Sequence, residues 1–232
     1  MQVVIMAGGL GTRLSPLTSE RPKALLPLGG TTLVGALLDR LAVCGMTEAV
    51  ICAGHMGELL PQALGTDRRG VPLRFSVEDE PLGTAGGLQL VAGLAPDFLV
   101  VNCDIVTVLD FGALFESHRA SGAAATVAAG EWRERLRFGT VEADAEGRVL
   151  RLREKPEVRH TILLGAYALN AEAVAAAMPS AGGRIDMPEL LDRMIAMDAP
   201  VRQFFSTAEW LDVGTVEDYR GAARAVSPLQ DE

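Results

Sequence analysis

The chain has 232 residues, 49% of them hydrophobic, and a formal net charge of -9. That is enough apolar material for a sizeable core, and the acidic balance argues against nucleic acid, whose phosphate backbone demands a basic surface. No apolar run approaches the ~20 residues that span a bilayer, and no basic segment with a signal-type apolar core follows Met1, so the sequence reads as cytoplasmic with no membrane partner.

The first expected strand is Val3–Ala7, which runs into Gly8-Gly9-Leu10-Gly11-Thr12-Arg13. Helical spacing follows over Leu33–Cys44, Gly57–Leu64 and Ala85–Ala92, alternating with apolar runs at Ala49–Ala53, Leu73–Val77 and Phe98–Cys103. These runs mostly lack alternation, as strands covered on both faces do. The βαβ order predicts an α/β fold: a doubly wound, mostly parallel, Rossmann-like central sheet flanked by helices, with ligands beyond the carboxyl ends of its strands. The second half is more mixed. Thr126–Ala129, Gly139–Ala143, Val149–Arg153 and Ile162–Leu169 read as strands, and Ala171–Met178, Pro188–Met197 and Val216–Val226 as helices, Pro188 standing where a missing N–H costs nothing. One domain over residues 1–226 is expected, with a frayed tail from Ser227. Cys44, Cys52 and Cys103 sit in apolar segments without C-x-x-C spacing and read as buried reduced thiols. His55, His118 and His160 are scattered and read as structural. The cations Arg133, Arg135 and Arg137 beside Trp132 read as a solvated loop.

A strand entering a glycine-rich turn presents backbone N–H groups to phosphate oxygens, and Arg13 and Lys23 add fixed positive charge. The turn is not a dinucleotide fingerprint, because Leu14 stands where the third glycine of G-x-G-x-x-G is needed. It is not a P-loop either, since no Lys-Ser/Thr pair follows a glycine. At the end of the fourth strand, Asp104 is placed to hold a hard divalent cation against phosphates, or else to cap the helix that starts near Asp110. Downstream, Thr215 reads as a helix N-cap that aims Asp212.

Gly8–Arg13 with Pro22-Lys23, Glu80-Pro81-Leu82-Gly83-Thr84-Ala85-Gly86, Asn102-Cys103-Asp104, Glu154-Lys155-Pro156, Leu164-Gly165-Ala166-Tyr167 and Trp210-Leu211-Asp212-Val213-Gly214-Thr215 occur in this order. Together they resemble the signature of the sugar-1-phosphate nucleotidyltransferases over about residues 2–225, in a short form without a C-terminal β-helix. Cys103 replaces the usual glycine and Leu163 the usual asparagine. The resemblance implies a nucleotide-binding half over about 1–110 and a sugar-phosphate half over about 111–226. It assigns Ala7, Gly8, Gly9, Gly11, Thr12, Arg13 and Lys23 to the nucleotide's phosphates, and Pro81, Gly83, Thr84, Ala85 and Gly86 to its base. Arg13 and Lys23 are the expected catalytic cations, and Asp104 with Asp212 the ligands of Mg²⁺. Asn102, Gly139, Glu154, Lys155 and Gly165 go to the sugar phosphate. The implied partners are a nucleoside triphosphate and a sugar 1-phosphate, in a monomer or homodimer. The E-P-L-G-T-A-G segment favours GTP, with UTP, dTTP or CTP, transfer to phosphocholine, or a non-catalytic nucleotide-sugar sensor as alternatives. No Ser-His-Asp or Cys-His arrangement is recognisable, and a phosphate dianion needs none.

Overall fold

The computed structural model describes residues 1–226, so the tail expected from Ser227 lies outside the described residues. Its central sheet has eight strands: β1 (Gln2–Ala7), β2 (Glu48–Ala53), β3 (Asp67–Arg68), β4 (Val71–Val77), β5 (Asp97–Asn102), β6 (Ala125–Arg135), β7 (Glu157–Asn170) and β8 (Val201–Phe205). Across the sheet they lie in the order β8-β6-β7-β5-β1-β2-β4-β3. β1 pairs parallel with β2 and β5, β2 with β4, and β8 with β6. Only β7 and the two-residue β3 run against the rest, which gives the mostly parallel sheet expected from the sequence.

The helices are α1 (Leu33–Val43), α2 (Leu59–Leu64), α3 (Gly83–Gly86), α4 (Phe111–Ser121), α5 (Ala171–Ala177), α6 (Met187–Ala196) and α7 (Val216–Val226). Both faces of the sheet are covered because successive strand side chains alternate. Val3 and Ile5 of β1 pack with Leu38 of α1 and Leu114 of α4, while Val4 and Met6 pack with Val174 of α5 and Leu190 of α6. Short polar side chains start the covering helices. Thr32 accepts from the Gly35 N–H, Asp110 from Ala113 and Asn170 from Ala173.

Several boundaries differ from the sequence reading. The helix expected over Ala85–Ala92 is a four-residue α-turn continued by a 3₁₀ turn at Gly87–Leu90, since three glycines among these residues weaken a helix. Helix α4 starts at the Asp110 position noted in the sequence, though its extent was not, and strand β8 and the ribbon of Ile105–Thr107 against Trp210–Asp212 were not foreseen. Trp132, Arg133 and Arg135 do not stand on a loop: they continue β6, which pairs with β7 past the body of the sheet, where its residues turn from buried to exposed. Cys52 and Cys103 are buried free thiols as expected, but Cys44 is only half-buried. No helix among the described residues is long and apolar enough to cross a membrane.

Candidate active site

The sheet's winding reverses at β1, which lies between β2 and β5, and the crevice beyond the carboxyl ends of such strands is where an open α/β sheet takes its ligand. A cleft of about 410 Å³ opens there, lined by Gly8–Arg13, Lys23, Glu78, Asn102 and Asp104 among others. Gly11 adopts a left-handed conformation (φ +61°), and a Cβ there would lie 3.0 Å from Thr18 Cγ2. Its carbonyl accepts from the Thr18 hydroxyl and the Leu14 N–H, both at 2.9 Å. The loop is thus pinned from its outer side. The N–H groups of Gly9, Leu10 and Gly11 donate to nothing among the described residues, which leaves them available to an anion.

At one end of the cleft, Lys23 Nζ lies 2.5 Å from Asp104 Oδ2, with side chains only 11% and 24% exposed. Asp110, not Asp104, caps the following helix. The ribbon sets Asp212 opposite Ile105, the Val213 N–H donates to the Asp104 carbonyl (2.9 Å), and two carboxylates 108 positions apart in sequence become neighbours. Thr215 and Asp218 cap each other reciprocally at the start of α7, the Asp218 N–H donating to Thr215 Oγ1 and the Thr215 N–H to Asp218 Oδ2. This fixes the loop that aims Asp212. Burial, then the Asp104 charge, push the Asp212 carboxyl above its usual range, with Lys23 and Arg13 opposing and Asp218 adding to the rise. Asp104 Oδ1 is buried without a hydrogen-bond partner. A buried carboxylate oxygen left bare beside a second, repelled carboxylate is costly unless a cation bridges them. This donor set therefore fits a hard divalent ion. The Arg13 guanidinium reaches the same place: a Cβ at Gly214 would be 3.1 Å from Asp212 Oδ2 and 3.5 Å from an Arg13 guanidinium nitrogen. Cys103 turns its thiol into the core, where burial pushes it up to about 12, and its N–H donates to the Met6 carbonyl, so the replacement of glycine leaves Asp104 in place.

The opposite end of the cleft is built from the turn after β4. Pro81, Gly83 and Thr84 line it, whereas Ala85 and Gly86 are buried behind it. The turn's amides are already engaged: Ala85 and Gly86 N–H both donate to the Ile185 carbonyl at 3.1 Å, and Thr84 N–H to Asp186 Oδ1 at 2.9 Å. The turn therefore supplies shape and carbonyl groups to this end, and its helical N–H groups hold the segment before α6. Sequence reasoning missed the polar residues here: Glu78, Arg184 and Asp186. Glu78 is buried, its Oε2 accepts from the Leu82 N–H at 3.1 Å, and its Oε1 has no partner. Burial pushes its carboxyl up and the Leu82 N–H holds it back. A carboxylate at a strand's carboxyl end, two residues before Glu80, was the available signal.

Of the expected sugar-phosphate residues, Asn102 lines the cleft and Gly165 (φ +71°) adjoins it, a Cβ there falling 3.0 Å from Asn102 Nδ2. Gly165 sits in a bulge, where the β6–β7 register shifts between Leu163 and Tyr167. Gly139, Glu154 and Lys155 do not line the cleft. They cluster at the base of a hairpin formed by Thr140–Ala143 and Val149–Arg153, where a Cβ at Gly139 would lie 3.2 Å from Glu154 Oε2. The Glu154 and Lys155 side chains are 78% and 53% exposed, and Lys155 is held at φ +43°. Such backbone persists in a non-glycine residue only where its surroundings impose it.

Three kinds of similarity accompany this geometry. The mannose-1-phosphate guanyltransferase of Schizosaccharomyces pombe is 34% identical over 94% of this chain and 62% of its own length. The probable mannose-1-phosphate guanylyltransferase 2 of Oryza sativa subsp. japonica is 32% identical over 94% of this chain and 63% of its own. The chain thus spans less than two thirds of the length of the curated relatives it matches. The crystal structure of HddC from Yersinia pseudotuberculosis superimposes with a TM-score of 0.74 at 25% identity, covering 97% of this chain and 98% of that one. The nucleotidyl transferase family model matches residues 2–227, so this chain belongs to the nucleotidyl transferase family.

Proposed function

We propose that the protein transfers a nucleoside monophosphate, with GTP as donor, to a sugar 1-phosphate and releases pyrophosphate. The observation that carries this reading is the convergence on one cleft of the unpaired amides of the glycine loop, the cations Arg13 and Lys23, and the carboxylate of Asp104, with Asp212 brought beside Asp104 by the ribbon. The names of the relatives support it, and they point to mannose-1-phosphate or a related sugar phosphate as acceptor.

The chemistry follows from charge. A sugar 1-phosphate loses its second proton near pH ~6, so at neutral pH it attacks without a general base. Its oxygen forms a bond to the α-phosphorus of GTP while the bond to the bridging oxygen of the β-phosphate breaks, and that electron pair leaves on pyrophosphate. The obstacle is repulsion between two anions, so catalysis rests on positioning and on fixed positive charge. Gly9, Leu10 and Gly11 N–H groups with Arg13 and Lys23 hold the triphosphate, and Asn102 and Gly165 border the acceptor, with Lys155 as its phosphate's cation. Asp104 and Asp212 would hold Mg²⁺, which neutralises phosphate charge when bound. Glu78 supports guanine: it lines the base end of the cleft, and a carboxylate there suits the adjacent N1–H and N2–H₂ donors, a pair that adenine, uracil and cytosine lack.

The test is pyrophosphate release from five nucleoside triphosphates against a panel of sugar 1-phosphates and phosphocholine. GTP with a manno-configured sugar 1-phosphate is expected to lead the panel. Release with phosphocholine and CTP alone, or no release with any pair, overturns the reading.

A further inference from the structure

The base end of the cleft carries one guanidinium for which the triphosphate site has no use. Arg184 lines the cleft with Glu78 and Gly83, 71% exposed, and its head makes no hydrogen bond among the described residues. Its nearest opposite charge is Asp186 Oδ2 at 3.6 Å, longer than a charge-assisted hydrogen bond, so the guanidinium keeps its donors free. The backbone that carries it is the opposite of free. Just before it, the Gly183 carbonyl accepts from the Gln89 side-chain amide at 2.8 Å; just after it, the Ile185 N–H donates to the Leu82 carbonyl at 2.9 Å and the Ile185 carbonyl accepts from two amides of the base-end turn. Asp186 and Met187 close the same seam through Thr84, at 2.9 and 2.7 Å. A cation carried on a fixed backbone, with its donors free and lining the same cleft as a buried carboxylate, is placed to read a polar ligand edge there.

The two groups are complementary to one base edge. Glu78 supplies acceptors only while ionised, and guanine presents its N1–H and N2–H₂ donors on one side of O6 and its N7 acceptor on the other. We infer that Arg184 is a specificity-determining residue that donates to O6 and N7 of a 6-oxopurine, so that donor and acceptor faces of guanine are read by two residues from different halves of the chain. This rests on the GTP reading above. An adenine ring would meet Arg184 with its N6 amino donors and Glu78 with its N1 acceptor, a mismatch at both groups. The planar fork of arginine suits this pairing, and a lysine in its place would not reproduce it.

The experiment compares wild type and Arg184→Ala with GTP, ITP, 2-aminopurine riboside triphosphate and 7-deaza-GTP, by calorimetric affinity without sugar phosphate and by kcat/KM. Loss of a bidentate base contact is expected to weaken GTP use by roughly 10–100-fold. ITP, which lacks only the 2-amino group that Glu78 reads, should show the same loss. The loss should shrink to a few-fold or less with the 2-aminopurine nucleotide, which has no O6, and be intermediate with the 7-deaza nucleotide. Arg184→Lys should fail to restore discrimination. Since the side chain is exposed, the melting temperature should hold. Equal losses on all four nucleotides would place Arg184 on ribose or phosphate and overturn the inference while leaving the GTP reading standing, as would no loss at all. A wild-type enzyme that does not favour GTP in the panel overturns both.

Discussion

Beyond β1 and β5, the glycine loop and Asp104 follow strands buried on both faces, and Lys23, on a 3₁₀ turn over Lys23–Leu25, is 11% exposed. Glu154 and Lys155 stand at the root of a two-stranded hairpin whose opposed Val141 and Leu152 are 61% and 71% exposed. Two strands alone are marginal in water, and this pair gains little from packing. The contrast separates the proposed nucleotide end, whose charges are in place before any ligand arrives, from the proposed acceptor end, whose cation would sit on an exposed arm. Pre-set charges act on the transition state at no reorganisation cost. Exposed ones are screened, and they contribute only when the substrate and the closing of the site exclude water.

Removing one of the two carboxylates puts the strongest load on the built end. Asp104→Asn and Asp212→Asn each keep shape and lose the charge that suits a divalent cation, so kcat should fall by about 10²–10³-fold or more, the scale of one pre-organised charge. Steady-state kinetics over a Mg²⁺ series checks this, and full activity of either variant at ordinary Mg²⁺ removes that residue from the metal site. The next effect is smaller and divides the two regions. Lys23→Ala should lower affinity for the triphosphate by roughly 10–150-fold. Lys155→Ala should leave triphosphate affinity within about three-fold and raise the KM for sugar phosphate instead, by about 10-fold given its exposure. Titration of both variants with GTP beside kinetics in the acceptor measures the split; parallel losses of triphosphate binding would erase the distinction between the ends.

How far the sequence shows these ends follows the same physical line. The parallel strands read clearly because burial on both faces leaves continuous apolar runs such as Val3-Val4-Ile5, and the glycine loop reads because its backbone must turn tightly beside a strand. Asp104 and Asp212 were paired from motif resemblance, but the ribbon that joins them was illegible, since three-residue strands carry no periodicity. Strand β8 was missed for a related reason: Val201-Arg-Gln-Phe-Phe205 lies at the sheet's edge, half exposed, with no clean alternation. Glu78 offered only its place at a strand's carboxyl end as a signal, and nothing local sets Arg184 apart from surface charge. What distinguishes them is a missing partner, one carboxylate oxygen and one guanidinium, and that is a property of the folded neighbourhood. The engagement of the Thr84, Ala85 and Gly86 amides by residues 185 and 186 is likewise a contact across about 100 positions that no window contains.

The smallest expected effect tests whether the built end is strained before its cation arrives. In the metal-free fold, burial and Asp104 push the Asp212 carboxyl above its ordinary range, more than Lys23 and Arg13 pull it back. A carboxyl whose folded pKa lies above its unfolded one binds its proton better in the native state, so its ionised form costs stability above the folded pKa, and that cost fades as pH falls through it toward ~4. Asp212→Asn removes the ionisation without changing the shape. Metal-free Asp212→Asn should therefore melt slightly higher than wild type at pH 7, by no more than the ~2–4 °C that 1 kcal/mol brings in a domain of this size, and the gain should vanish near pH 4. Adding Mg²⁺ should reverse the order, because a ligand that binds only the native state stabilises the protein able to hold it. Calorimetric melts at pH 4 and 7, with and without Mg²⁺, decide the matter. A variant that melts lower at pH 7 without metal would mean that Lys23 and Arg13 already satisfy Asp212, and that the nucleotide end is relaxed in the absence of its cation.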